Sequence, residues 1–170
     1  MAPGSRLLLL LLACVLCVPM SHAAGRPADS VAGEALARHA RAVMTIERSM
    51  LAQIAIAPEE DRFDLYSAYD RFLGAWVQVD ALHALLDRTI TLTHADDEAL
   101  TRRALRDHAE FTLWELDSAI AALADTARSL PRPDDHDVSV AAGGELVRVR
   151  STVAAILDVE CQRVRCTRIQ

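Results

Sequence analysis

Asp80 and His83 stand three residues apart in an apolar stretch, a spacing that sets a carboxylate and an imidazole on one helix face. Such a pair can share a metal ion, and di-iron bundles use a related Glu-x-x-His motif twice, with two further glutamates. Here the motif occurs in one imperfect copy, because His108 has Leu105 rather than an acid three residues before it. A histidine hydrogen-bonded by Asp80 or by backbone is the simpler reading of His83. Haem meets a similar objection. There is no Cys-x-x-Cys-His, which excludes covalent attachment. Noncovalent ligation would need His83 and His108 to face each other, and they fall about 6 Å out of level along their helices. No cofactor is expected.

All seven aromatic residues lie between Phe63 and Trp114. If the segments on either side of Thr93 turn back on each other, Trp76 comes level with Phe111, Leu73 with Trp114, and Asp80 with Asp107 and His108. A ligand pocket there would be lined by Trp76, Asp80, His83, His108, Phe111, Trp114 and Glu115. Glu115 would be partly buried, with Arg71 level with it as a partner. Plain core packing explains the same aromatic layer, since large side chains bury the most area.

Other chemistry lacks its parts. There is no Gly-x-Ser-x-Gly, and the serines are scattered. His94 opens a helix. His136 lies in Asp134-Asp135-His136-Asp137, which reads as a solvated acidic linker without the ligand spacing of a calcium loop. Six glycines leave no phosphate cradle, and a net charge of −6 without a basic stripe argues against a nucleic-acid binder.

The elements that would position these residues are helices. Apolar spacing predicts them over about 29–57, 59–92, 94–130 and 143–160, with no alternating strand pattern. Val31, Leu36, Val43, Ile46, Met50 and Ile54 would face inward from the first. Pro58 and the acids after it start the second, since carboxylates favour the positive end of the helix dipole. Its seam reads Leu65, Tyr69, Phe72, Trp76, Val79, His83, Leu86 and Ile90, alternating steps of four and three. Thr93 with Asp96 suggests a capping box for the third, whose seam reads Leu105, Ala109, Leu113, Leu116, Ile120, Leu123, Ala127 and Leu130. Pro131 to Asp137 is expected as a linker, followed by Gly143-Gly144 and a fourth helix facing inward through Leu146, Val149, Val153, Ile156 and Leu157. Short connections make antiparallel neighbours, so the fold class is all-α, a four-helix up-down antiparallel bundle in one domain over 24–170.

Residues 1–23 read as a secretory signal peptide: Arg6, the apolar run Leu7 to Val18, then Ser21-His22-Ala23 before a cleavage site. That run is shorter than the roughly 20 residues needed to span a bilayer. A competing reading, a lipoprotein anchored through Cys14, conflicts with the apolar residues that follow it. Export leaves Cys161 and Cys166, expected to form one small disulfide. A continuous helix cannot bring residues five apart close enough to bond, so the last helix should end or bend near Cys161.

The mature chain has 12 arginines and 21 acids from Ala24 to Val140, but five arginines and three acids after that. Attraction of the arginine-rich tail to the acidic bundle is the simplest consequence. The resulting expectation is a periplasmic or secreted helical bundle that binds rather than catalyses, its partner an unknown protein or small ligand, with no transmembrane span. A cofactor or metal carrier using His83 and His108, and an enzyme with a pocket near Trp76 and Trp114, are the alternatives. An apolar stripe left on the first or fourth helix would make a homodimer.

Overall fold

The computed structural model describes residues 25–92 and 94–167. It comprises α1 (Gly25–Ile56), α2 (Glu59–Thr91), α3 (Ala95–Ser129) and α4 (Pro133–Thr167), with no strand among the described residues. Connections of two or three residues turn each helix back against the one before it. α1 also packs on α4, which closes the ring into an all-α four-helix up-down bundle. The expected signal peptide and Cys14 lie outside the described residues.

Helix starts follow local chemistry. α2 and α3 each open with three acids, Glu59, Glu60 and Asp61 in one, Asp96, Asp97 and Glu98 in the other. The cap of α3 falls at His94, whose carbonyl accepts the Glu98 N–H at 3.0 Å, so the capping box expected from Thr93 gives way to a cap one residue later. Thr93 itself lies outside the described residues.

The expected linker over 131–137 is largely helix. Pro133 occupies the first helical position, where its missing N–H is no loss, and the Arg132 carbonyl accepts the His136 N–H at 3.1 Å. Asp134 and Asp135 supply first-turn acids as Glu59 and Glu60 do in α2. Gly143 and Gly144 remain helical despite costing about 1 kcal/mol each against alanine, because α4 is held by packing on its neighbours.

The helix also continues past Glu160 to Thr167. The end or bend that a Cys161–Cys166 disulfide requires is therefore absent, and Cys161 is a free, half-buried thiol. The side chain of Cys166 lies outside the described residues.

The core corrects the expected seams by a rotation. α2 buries Leu65, Ala68, Phe72, Ala75, Val79, Leu82, Leu86 and Thr89. Every second seam position is as read from the sequence. The others move back by one residue, so Ala68, Ala75 and Leu82 replace Tyr69, Trp76 and His83 at the centre. α3 shifts alike, burying Thr112 and Ala119 while Leu113 and Ile120 flank the core. Small residues along the axis let four helices approach closely. Large amphipathic side chains at the flank bury their bodies and keep their polar tips accessible.

α1 buries Gly33, Leu36, Val43, Met50 and Ile54, and Ala57 just past its end is buried too, whereas Val31, expected inward, is 64% exposed. α4 buries Ala142, Leu146, Val149, Val153 and Ile156. The same repeat, carried one step further, also buries Asp29 at the start of α1, Asp135 and Ser139 at the start of α4, and Glu160 near its end.

Candidate ligand-binding site

The aromatic pocket is not assembled. Tyr69, Trp76 and His83 form one stripe of α2 that faces α1: the Tyr69 hydroxyl donates to Glu47 at 3.3 Å, and Gly33 lies against His83. Trp76, between them on that stripe, is level with Ala40. Phe111 and Trp114 instead sit on the outer surface of α3, 45% and 64% exposed, with ring centres 6.0 Å apart. Glu115 is half-buried on the same helix, and no ion pair joins it to Arg71 among the described residues.

The two histidines of the sequence reading also part company. His83 has Asp87 as its acidic neighbour, at 3.9 Å, while Asp80 is exposed. His108 Nε2 donates to the Gln78 carbonyl at 3.0 Å. That contact bears out the level expected for the α2–α3 turn-back to within about a turn. Among the described residues, no three of His, Cys, Asp and Glu gather as metal ligands.

Two buried polar clusters on the α1–α4 side were missed. Near one end of the bundle, Arg102 of α3 bonds Glu98 at 2.9 Å, Asp29 at 3.1 Å and Glu160 at 3.2 Å. Arg163 bonds Asp29 at 3.0 Å and also Glu160. The network crosses the bundle diagonally and ties the start of α1 to the end of α4. Burial pushes the Glu160 carboxyl above the ordinary range, against the lowering pull of Arg163 and Arg102. Burial alone would lower the Arg102 guanidinium, but its bonds to Glu98 and Asp29 leave it raised.

The second cluster lies further along the same two helices. His39 Nδ1 donates to Glu145 Oε1 at 2.6 Å, and His39 Nε2 meets the Thr152 hydroxyl at 3.1 Å. Arg148 grips the other oxygen of Glu145 through Nε at 2.9 Å and Nη2 at 2.6 Å. Glu145 is buried, with both oxygens engaged. The sequence offered a faint signal for it: an acid directly before Leu146, on the inner side of an otherwise apolar segment.

Thr152 carries this relay to a surface. It lines an apolar groove of about 690 Å³ between α1 and α4, together with Val31, Ala32, Ala35, Ser151, Ala155, Ile156 and Val159. Alanines on both helices hold the floor low, and valines at 31 and 159 raise one end. A second recess of about 530 Å³ beside Phe63, Tyr66, Asp70 and Arg71 is lined by α2 alone among the described residues. It has no opposing wall there, so the α1–α4 groove is the better candidate for holding a ligand.

No family model, curated protein or solved structure matches this chain.

Proposed function

We propose that the protein is an exported helical-bundle binding protein that takes a small apolar molecule in the α1–α4 groove. The groove carries this reading. Its volume lies in the range of small-molecule sites, about 300–1,000 Å³, and it pairs a mostly apolar lining with few polar groups, as such sites do. Ser151 and Thr152 are those polar groups. Binding rather than catalysis is favoured because the aromatic and histidine residues that would have built an active site are dispersed over separate faces. Export rests on the pattern of residues 1–23, and no described helix is long and apolar enough to cross a membrane.

The test is displacement of a neutral naphthylamine dye from the purified protein, read by fluorescence. Dye should bind the native protein and be lost in Ala35→Trp and Ala155→Trp, which fill the groove from either wall. Equal dye binding in all three proteins would sink the groove reading. Native mass spectrometry of the exported fraction from the producing cell checks the rest. It reads the mature N-terminus, any acyl group on Cys14, the subunit count and a retained small molecule. A mass matching two chains would favour a second copy as the groove's occupant instead.

A further inference from the structure

The polar end of the groove has a fixed hydrogen-bonding sense. Glu145 is gripped through Oε2 by two Arg148 nitrogens, which holds it as a carboxylate that can only accept. His39 Nδ1, at 2.6 Å from Oε1, must therefore carry the proton. The single hydroxyl proton of Thr152 is then taken in either sense of its 3.1 Å contact with Nε2: it goes to the ring nitrogen, or to the Arg148 carbonyl at 3.4 Å when Nε2 donates. Thr152 thus shows the groove an oxygen lone pair and no proton. A ligand head that donates a hydrogen bond is matched; a carboxylate head, which can only accept, meets that lone pair with no proton to share.

Length follows from the same helix. From Thr152 to Val159 the groove runs seven residues along α4, about 10 Å at 1.5 Å per residue, the reach of an extended alkyl chain of about eight carbons. Ala155, Ile156, Ala32, Ala35 and Val31 line that run.

We infer that the groove selects neutral, hydrogen-bond-donating amphiphiles of medium chain length, such as aliphatic alcohols, with the head on Thr152 and the tail toward Val159. This rests on the α1–α4 groove being the binding site. The test is displacement of the same neutral dye by 1-octanol, 1-butanol and octanoate, from the native protein and from Thr152→Val. Valine keeps the shape of threonine and removes the hydroxyl; thermal melts confirm that the variant folds.

In the native protein, 1-octanol should displace dye at about tenfold lower concentration than octanoate, and 1-butanol should be weaker still. Thr152→Val should weaken 1-octanol about tenfold, the worth of one hydrogen bond, without weakening octanoate. Equal potency of alcohol and carboxylate, or no effect of Thr152→Val, would overturn the selectivity while the Ala35→Trp and Ala155→Trp results leave the groove standing. Absence of displacement by any of the three would likewise overturn the selectivity, and equal dye binding in the two Trp variants would overturn the groove with it.

Discussion

His39 of α1 and Glu145 of α4, 106 residues apart in sequence, meet at 2.6 Å in a mostly dry part of the bundle. The pair joins the first helix to the last and sets the proton position on which the Thr152 hydroxyl depends. Neither residue works alone: a buried carboxylate without a partner is costly, and so is a buried ring nitrogen.

Breaking this pair from either side should therefore cost stability. His39→Ala and Glu145→Ala are each expected to destabilise by about 1–3 kcal/mol, because each leaves a buried polar group unsatisfied. The double variant should cost less than the two singles together, since no orphan then remains. Urea denaturation of all four proteins measures the coupling. Strict additivity would show that the contact contributes nothing.

The rotated seam makes a prediction opposite to the one the sequence invites. Ala75 is fully buried at the axis, whereas Trp76 lies on the α1-facing flank. Ala75→Leu should overpack the centre and cost about 1–3 kcal/mol. Trp76→Leu, on the partly exposed flank, should cost less than that. Thermal melts that ranked the two in the other order would restore the aromatic residue to the axis.

How much the sequence revealed is visible in that same pair. Helix number, the sharp turns at Pro58 and between Thr91 and Ala95, and the α2–α3 level were all legible, because apolar spacing and start signals are local. Rotation was not. Tyr69 and Trp76 are larger than Ala68 and Ala75, and size suggested that they were central, but a four-helix axis favours small residues that let backbones approach. The site was less legible still. His39, Glu145 and Thr152 lie on different helices or turns, and nothing in their local sequence says they will meet. Asp29, Asp135 and Glu160 could have been found, because each falls one heptad beyond an apolar inward position. Polarity alone disguised them.

Glu160 should give the fold a pH dependence of definite sign. Its carboxyl is raised in the folded protein, so the folded state favours the protonated form more than the unfolded chain does. Its stabilising contribution is fully present below the ordinary glutamate range and is lost as pH rises through the raised value. Relative to Glu160→Gln, the native protein should therefore lose stability as pH rises from the ordinary glutamate range, about 4.3, upward. Melting temperatures of both proteins across that range provide the check. A constant difference would mean that the Arg102 and Arg163 charges cancel the cost of burial.

Ser139 offers the reverse case of a residue better replaced. Its hydroxyl is fully buried on the inner face of α4 and has no hydrogen-bond partner among the described residues. Ser139→Ala removes an unsatisfied polar group and almost no volume, so it should be neutral or stabilise by up to about 1 kcal/mol. A loss of more than that in urea denaturation would reveal a water bridging Ser139 to Asp135, whose carboxylate pairs with Arg132 at 3.6 Å but makes no hydrogen bond among the described residues.

The two polar clusters on the α1–α4 side also bear on the order in which the bundle comes together. Contacts spanning 106 to 134 residues cannot form until nearly the whole chain is available. Local hairpins, α1 with α2, α2 with α3 and α3 with α4, need only a two- or three-residue turn and lose far less loop entropy. Of the two neighbours of α1, α2 follows at once and α4 arrives last. Until then its inner stripe, Leu36, Val43, Met50 and Ile54, lacks the α4 side of its packing. A docking step that late would give α1 amides a separate, lower free energy of hydrogen exchange than those of α3, with the two buried clusters serving as the clasp that keeps the first helix in a single register.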